Sequence, residues 1–334
     1  MAKLDIIVTH YKEPWTVGKK FFDMLGTQQG INFDDIAVYL IHDGTEYFPC
    51  EYFNSYPFAV TQHTIPHAGV SAARNAGFEM SNSGWVCFCD FDDMFSNAFS
   101  LFSVIPVLSD EYNLLWGDFW SVDKTFDGTF SVTKRELNFV FIHGKFFRRE
   151  YLTQAGIRFD TDLEFNEDCL FVTTIMETLP PDKIGKISCP FPLYVWCYTP
   201  DSATTTENNW WRACIGGYKR NRKVVELFRK EKEPERFDAM CARLIWDAYY
   251  SFNLENVPDD FIPLIDDFRE FYRANKERFW ALPPDKMVEV WDIATRQFKT
   301  WEQESEHRWN NIAMKRRKEV NIYQWLNIIE KGGI

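Results

Sequence analysis

Short runs of β-branched and aromatic residues alternate with longer helix-compatible segments through the first third of the chain. This alternation is typical of a mainly parallel α/β sheet, because each pair of parallel strands needs a helical crossover. We therefore predict an open sheet flanked by helices. The predicted strands cover residues 4–9, 36–41, 58–62 and 85–89, and the predicted helices cover 16–28 and 70–81.

The pattern continues, less regularly, to about residue 206. Residues 113–133 are predicted to form strands, and two further helices are predicted to start near Lys145 and near Glu167. From residue 207 onward strand signals are few, and prolines divide long Trp-, Arg- and Glu-rich stretches into helical segments. We expect an α/β catalytic domain over residues 1–206 and an all-helical appendage over residues 207–334.

The charge of the chain limits the classes of partner. There are 37 basic and 49 acidic side chains among 334 residues, a net charge of −12, which argues against nucleic-acid binding over the whole surface. The last 125 residues carry 23 basic and 21 acidic side chains, with basic runs at 219–223 and 315–318. Such runs could contact a membrane, a partner chain or a phosphate backbone, or could be solvated helix faces.

The sequence also indicates a compartment. It opens without the pattern of a signal peptide, and no apolar run approaches the ~18 residues that would span a bilayer. The eight cysteines contain no Cys-x-x-Cys pair, so we expect reduced thiols and a cytoplasmic protein without a transmembrane segment.

One segment, residues 85–95, carries the strongest chemical signal. An apolar strand ends there in Asp90, Asp92 and Asp93, an Asp-x-Asp (DXD) pattern with one further carboxylate. Ligands of open α/β sheets bind beyond the carboxyl ends of the strands, and clustered carboxylates suit Mg²⁺ or Mn²⁺. The alternative is a solvated turn, since Asp is a favoured turn and capping residue.

Three upstream motifs favour the metal site over the solvated turn. They are VTHYKE at residues 8–13, HDGT at 42–45 and HAGVSAARNAG at 67–77. With the Asp cluster they resemble, in order and spacing, family-2 glycosyltransferases of the A-type fold. The resemblance continues through HGKFFRRE at 143–150 and NEDCLF at 166–171, and it covers about residues 4–205.

The resemblance implies a nucleotide-sugar pocket. Thr9, Tyr11 and Glu13 would line it, with Tyr11 stacked on the base unless it packs on the core. Asp43 would accept a hydrogen bond from the imide of uracil, or would only close a turn.

The resemblance also implies how the diphosphate side of the pocket is built. Arg74 would face the diphosphate or support the Asp cluster, or it would form a salt bridge on the helix surface. Asp92 would bind the metal directly, Asp90 would contact the ribose or the metal, and Asp93 would cap the following helix.

The same resemblance implies an acceptor side. Asp168 would be the catalytic base that removes the proton of the acceptor hydroxyl. Glu167, His143 and Lys145 would lie near the acceptor, although for His143 a structural role as a buried, hydrogen-bonded histidine is the more common one. For Glu167 and Asp168 the alternative is that acids favour the first turn of a helix.

These observations predict an inverting, Mn²⁺- or Mg²⁺-dependent enzyme that moves a sugar from a nucleotide-sugar donor, a UDP-sugar, to a hydroxyl of a glycan. Glycosylation of hydroxymethylated DNA is one alternative, and a non-catalytic binding protein on the same fold is another. A nucleotidyltransferase would share the metal site but would not need a base at Asp168. The appendage could supply acceptor, membrane or oligomer contacts.

Overall fold

The computed structural model describes residues 2–125, 127–136, 140–200, 210–228, 233–281 and 319–333. The chain divides into two compact units, Met1–Pro200 and Asp201–Ile334. In the first unit the strands are β1 Leu4–His10, β2 Ile36–Asp43, β3 Val60–Ile65, β4 Trp85–Asp90, β5 Met94–Phe95, β6 Leu114–Trp116, β7 Phe119–Lys124, β8 Phe130–Arg135, β9 Lys145–Arg148, β10 Ile184–Lys186 and β11 Tyr194–Trp196. Its helices are α1 Trp15–Gly26, α2 Val70–Met80, α3 Ser100–Val104, α4 Arg149–Gln154 and α5 Glu167–Thr178.

Seven strands form the main sheet of the first unit, in the order β10-β6-β9-β4-β1-β2-β3. All neighbouring pairs are parallel except those of β9, which runs antiparallel to both β4 and β6. The mainly parallel α/β sheet that the sequence predicts is therefore confirmed. A parallel sheet brings the carboxyl ends of β1, β2 and β4 to one edge, where the site described below lies.

Two hydrophobic cores cover the two faces of this sheet. Alternate residues of β1 point to opposite faces, as the two-residue period of a strand requires. Ile6 and Val8 belong to the core that contains Phe22 of α1, whereas Ile7 belongs to the core that contains Phe78 of α2. All five side chains are buried, so the apolar alternation in the sequence fixes which helix packs on which face.

A second, four-stranded sheet has the order β5-β11-β7-β8. Strand β11 pairs antiparallel with β5 and parallel with β7, so it joins the short strand after the Asp cluster to the β7–β8 hairpin. This sheet places Tyr194 and the residues that follow it beside the carboxyl end of β4.

The expectation of a helix starting near Lys145 is wrong. Residues Lys145–Arg148 form strand β9, and helix α4 starts at Arg149. Phe146 and Phe147 are buried between β4 and β6, and short apolar runs of this kind satisfy either helix or strand periodicity. Tertiary pairing decides the outcome.

The described part of the second unit is helical. Its helices are α6 Trp210–Leu227, α7 Pro234–Phe252, α8 Ile262–Trp280 and α9 Ile322–Glu330. The buried Trp325 of α9 lies against Phe268 of α8, with ring centroids 5.4 Å apart, and a capping box at Asn321 starts α9. Among the described residues, no helix is both long and apolar enough to cross a membrane.

Candidate active site

The carboxyl ends of β1 and β4 bring Thr9 and Asp90 side by side, as the strand register requires. The hydroxyl of Thr9 donates a hydrogen bond to Asp90 Oδ1 at 3.3 Å, and the backbone N–H of Asp90 donates to the Tyr194 hydroxyl at 3.2 Å. Phe91, the next residue, is buried against α1 at Gly18, where an added Cβ would lie only 2.1 Å from the ring. This anchor fixes the backbone between Asp90 and Asp92.

Arg74 connects the Asp cluster to the first turn of α5. Its guanidinium donates to Asp90 Oδ1 at 2.9 Å and to Glu167 Oε1 at 2.8 Å, and the side chain is only 4% exposed. Burial by itself would raise the pKa of Asp90, but the charge of Arg74, the neighbouring His143 and the hydrogen bonds from Arg74 and Thr9 together hold that pKa below its ordinary value. The salt bridge predicted for Arg74 exists, but it is buried and supports the Asp cluster.

Asp93 does not cap a helix, which corrects the expectation from the sequence. Strand β5 follows it, and α3 begins only at Ser100. Asp93 is fully buried, and its Oδ1 accepts a hydrogen bond from the backbone N–H of Cys197 at 2.7 Å. Burial, reinforced by the charges of Asp92 and Asp90, raises the pKa of Asp93 well above its ordinary value.

His143 lies beside Asp93 in the same buried layer. The His143 Nδ1 and Asp93 Oδ2 atoms are 3.7 Å apart, and among the described residues neither atom has a hydrogen-bond partner. The imidazole is stacked on Tyr194 with ring centroids 5.4 Å apart, and burial lowers its pKa to about 4. His143 is therefore a neutral, buried imidazole behind the Asp cluster.

Two further carboxyl groups, Asp92 and Glu13, have raised pKa values. Burial raises the pKa of Asp92, and the charge of Asp90 raises it further, against a hydrogen bond from the side chain of Thr199. Burial likewise raises the pKa of Glu13, and the charges of Asp92 and Asp90 add to the effect. Such mutual repulsion is relieved when a cation binds.

The residues present fit a divalent metal ion. Ligand atoms of Asp90, Asp93 and His143 lie within 4.8 Å of one another, and the Asp93 Oδ2 atom is buried and unpaired. The predicted pair, Asp90 and Asp92, overlaps this group at Asp90. An oxygen-rich donor set of this kind suits Mn²⁺ or Mg²⁺.

Tyr11 and Asp43 lie at the ends of β1 and β2, and both contact the loop that precedes α2. The Tyr11 ring is stacked on His67, with centroids 4.4 Å apart and an angle of 11° between the rings. Asp43 Oδ2 lies 2.8 Å from His67 Nδ1, and the backbone N–H groups of Ala68 and Gly69 donate to the same carboxylate. Tyr11, His67 and Asp43 therefore lie together at the carboxyl ends of β1 and β2.

Asp168 occupies the first turn of α5, next to the Arg74–Glu167 ion pair. Burial, together with the charge of Glu167, raises the pKa of Asp168 to about 7, against the charge of Arg74. Asn166, directly before the helix, has a φ of 64°, in the left-handed region that Asn tolerates better than most residues. A partly buried carboxylate that titrates near neutral pH has the acidity that a general base needs.

Lys145 lies on strand β9 and is buried. Its ammonium donates a hydrogen bond to the backbone carbonyl of Phe141, and burial lowers its pKa to about 8 while the charge of Asp168 opposes the shift. Lys145 therefore lies close enough to Asp168 for the two charges to interact.

Comparison with known families decides what kind of site this is. Residues 5–162 match the profile of Glycosyl transferase family 2. They form a glycosyltransferase family 2 domain. The matched segment contains β1, the Asp43 turn, Arg74 and the Asp cluster, so these parts of the site belong to the family 2 domain. No curated protein sequence matches the chain.

Solved structures agree with the A-type fold of family 2. One is S. aureus TarS, 16% identical with a TM-score of 0.59 over 88% of this chain, and this chain spans about half of it (53%). Residues 1–349 of TarS with UDP-GlcNAc give a TM-score of 0.60 at 16% identity, covering 90% of this chain and 92% of that one. A Pyrobaculum calidifontis mannosyltransferase with GDP-Man and Mn²⁺ gives a TM-score of 0.52 at 14% sequence identity. The match covers 93% of this chain and 88% of that one.

The family 2 motifs predicted Arg74 and the Asp cluster as parts of one site, but other residues of the site carried no usable signal. Tyr194 and Thr199 follow the Asp cluster by about a hundred residues and reach it only through the second sheet. The sequence there, YVWCYTP at 194–200, shows only an aromatic strand followed by a Thr-Pro turn. It does not indicate which residues Tyr194 and Thr199 contact.

Proposed function

We propose that this glycosyltransferase transfers a sugar from a UDP-sugar to a hydroxyl group of a glycan, with a divalent metal ion and with inversion at the anomeric carbon. The donor would lie at the carboxyl ends of β1, β2 and β4, along Thr9, Tyr11, Glu13 and Asp90. The neighbours solved with UDP-GlcNAc and with GDP-Man and Mn²⁺ support the choice of a nucleotide-sugar donor and a divalent ion.

The Arg74 bridge is the observation that carries the proposal. One buried guanidinium holds both Asp90, which belongs to the donor motif, and Glu167, which adjoins the proposed base. A buried ion pair of this kind is retained at a large desolvation penalty, and breaking it leaves unpaired charges. The bridge therefore sets the position of the acceptor side relative to the donor side, as a direct transfer between two substrates requires.

Each residue then has a chemical task. Asp92 and Asp90 would hold the metal, which stabilises the negative charge of the departing nucleoside diphosphate. Asp168 accepts the proton of the acceptor hydroxyl while the hydroxyl oxygen attacks the anomeric carbon. Because the attacking oxygen and the leaving diphosphate occupy opposite faces of the sugar, one base suffices and the configuration inverts.

Glu167 and Lys145 support this base. Burial raises the pKa of Asp168 and the charge of Glu167 adds to the shift, whereas the ammonium of Lys145 lies close enough to interact with Asp168 electrostatically. The base is thereby kept basic enough to take a proton near neutral pH.

A glycan is the proposed acceptor, and the helical unit is the part proposed to contact it or a second copy. Within the basic run at 219–223, Arg222 pairs with Glu226 and with Asp267, so this charge is locally balanced. The other run, 315–318, lies outside the described residues. The seven cysteines whose side chains are described are free thiols, in keeping with the proposed cytoplasmic location.

A donor panel tests this proposal. Thermal unfolding of the full chain is measured with UDP-, GDP-, CMP- and dTDP-sugars, each with Mn²⁺ and with EDTA, because a ligand that binds only the native state raises its stability. The expected result is a Mn²⁺-dependent increase with UDP-sugars. Asp92→Asn should abolish the increase, and Asp182→Asn, at an exposed carboxylate of the same unit, should keep it.

Turnover separates the remaining possibilities. Metal-dependent release of UDP from a UDP-sugar with glycan acceptors supports the proposal. Binding without turnover for any glycan, but with turnover on hydroxymethylated DNA, would replace the acceptor. No stabilisation by any donor would favour a non-catalytic binding protein, and formation of UTP and sugar-1-phosphate from a UDP-sugar and added pyrophosphate would indicate a nucleotidyltransferase.

A further inference from the structure

Two buried histidines face each other where β1 meets the loop that leads to α1. His10 is the last residue of β1, and His42 is its neighbour in the register of β2. Their Nδ1 atoms are 2.9 Å apart, which is a hydrogen-bond distance. Two ring nitrogens this close need one hydrogen between them, because two facing lone pairs would repel each other.

The outer nitrogen of each ring faces an acceptor. His10 Nε2 lies 2.9 Å from the backbone carbonyl oxygen of Glu13, which can only accept. His42 Nε2 lies 3.0 Å from Gln62 Oε1. Phe48 fixes the orientation of the Gln62 amide, because its N–H donates to Oε1 and its carbonyl accepts from Nε2. Both outer ring nitrogens therefore carry a hydrogen.

Counting hydrogens then gives the charge of the pair. The two outer contacts and the contact between the rings need three hydrogens, whereas two neutral imidazoles carry only two. The third hydrogen gives the pair one positive charge. Thr45 does not remove this need. Even when its hydroxyl donates to His10 Nδ1, 3.2 Å away, His42 Nδ1 still faces that nitrogen without a hydrogen.

The charged surroundings of the pair favour a proton on it. The carboxylate of Glu13 has its Oε2 3.8 Å from His10 Nε2 and so stabilises a positive charge there. Asp43 follows His42 in the chain, but its carboxylate is bonded to His67 and the loop before α2. The other rings that pack on the pair are uncharged and belong to Phe48, Phe91 and Tyr47.

Burial limits the pair to one proton. Burial lowers the pKa of His10, and the hydrogen bond to Glu13 opposes this shift. The pKa of His42 is lowered to about 4, first by burial and then by the charge of His10, against the hydrogen bond to Gln62. A second positive charge in the same buried space is therefore strongly disfavoured.

We propose that His10 and His42 hold one proton between them and act together as positioning residues for the loop between β1 and α1. That loop carries Tyr11 and Glu13, so the inference rests on the proposed donor site. Lys12 in this loop has a φ of 62°, a conformation that few residues adopt freely, and the bond from His10 Nε2 to the Glu13 carbonyl holds it. When the proton leaves, one of the three bonds is lost and donor affinity falls.

Nuclear magnetic resonance of the full chain with ¹⁵N-labelled histidine tests the shared proton without any nucleotide. The nitrogen shifts, followed from about pH 5 to about pH 9, report which ring nitrogens carry a hydrogen. We expect both rings of the pair to change together in one titration, from three ring hydrogens on the acidic side to two on the basic side. Two rings that each become fully protonated independently, or that keep one hydrogen each throughout, would overturn the proposal.

His42→Asn tests the positioning role. Its amide lies where Nδ1 of the histidine was and can donate to His10 Nδ1 without a bound proton, while the bond to Gln62 is lost at every pH. UDP affinity with Mn²⁺ is measured by calorimetry at about pH 6 and about pH 8.5. From the lower to the higher pH, we expect wild type to lose about tenfold more affinity than His42→Asn, as one lost hydrogen bond predicts.

The ionisation of UDP and of the other site residues is common to wild type and variant, so it cancels in this ratio. His63→Asn, which removes an imidazole of strand β3 outside the pair, should keep the wild-type pH dependence. The same pH dependence in wild type and His42→Asn would overturn the positioning role. A wild-type protein that binds no UDP at either pH would overturn the proposed function, whereas the nitrogen shifts would still decide whether the proton is shared.

Discussion

Replacing Asp168 by Asn separates its role as a base from its role in the fold. The amide has nearly the same shape, and its oxygen can still accept the hydrogen bond that the Asp168 carboxylate receives from the N–H of Cys169 at 2.7 Å. It cannot accept a proton at neutral pH. We therefore expect donor binding to remain and turnover to fall by about 10²–10⁴-fold, the usual contribution of a general base.

The same substitution should stabilise the protein, and the effect should depend on pH. The pKa of Asp168 rises from an ordinary 3.8 to about 7 in the fold, so the native state binds a proton that the unfolded state releases. Its favourable contribution is complete below pH 3.8 and is lost as the pH rises through 7. At about 1.4 kcal/mol per pKa unit, Asp168→Asn should gain about 2 kcal/mol at pH 5 and about 4 kcal/mol at pH 8.5.

Urea unfolding of metal-free protein at these two pH values measures the difference, because a bound cation would itself lower the pKa of nearby carboxylates. The groups shared by wild type and variant cancel in the comparison. Asp182→Asn, at an exposed position, should show no such dependence. A stability difference between Asp168→Asn and wild type that is equal at both pH values would refute the raised pKa, and undiminished turnover would refute the base.

The remaining predictions concern the supports of the site. Arg74→Met leaves the Asp90 and Glu167 carboxylates without their common partner, so we expect a loss of about 3–5 kcal/mol in unfolding free energy, measured in urea at pH 8; a loss below 1 kcal/mol would contradict the bridge. Gly18→Val forces side-chain atoms into the ring of Phe91 and should weaken Mn²⁺-dependent UDP binding by displacing the Asp cluster; unchanged UDP affinity in a folded variant would contradict this anchor.

The sequence predicts the sheet well because its strands alternate with helices and each has a local signal. Strand β9 is the exception, since Phe146 and Phe147 are buried by pairing with strands that lie far away in sequence. Local periodicity contains no information about that pairing. The same limit explains the wrong expectation for Asp93, whose partners, Cys197 and His143, are distant in the chain.

In the candidate site, too, residue types are predictable from local motifs, whereas contacts between distant residues are not. The motifs predict Asp90 and Arg74 on the donor side and Glu167 on the acceptor side, and the structure joins the two sides through the Arg74 guanidinium, which bonds Glu167 across 93 residues of sequence. The partners of the Asp43 carboxylate, which are His67, Ala68 and Gly69, lie about 25 residues away in the chain and reach it through the turn that precedes α2. Motif order predicts the chemistry of the site, whereas the hydrogen-bond partners of each group come from tertiary structure.

Metal-dependent binding of UDP is the sharpest test of the site formed by Asp90, Asp92 and their neighbours. UDP is titrated into the full chain by calorimetry with Mn²⁺ and then with EDTA, and the titration is repeated with Asp92→Asn. We predict tight binding only for the wild type with Mn²⁺, because the raised pKa values of Glu13, Asp92 and Asp93 mark a site short of positive charge. Equal UDP affinity with Mn²⁺ and with EDTA, or in Asp92→Asn, would contradict the account.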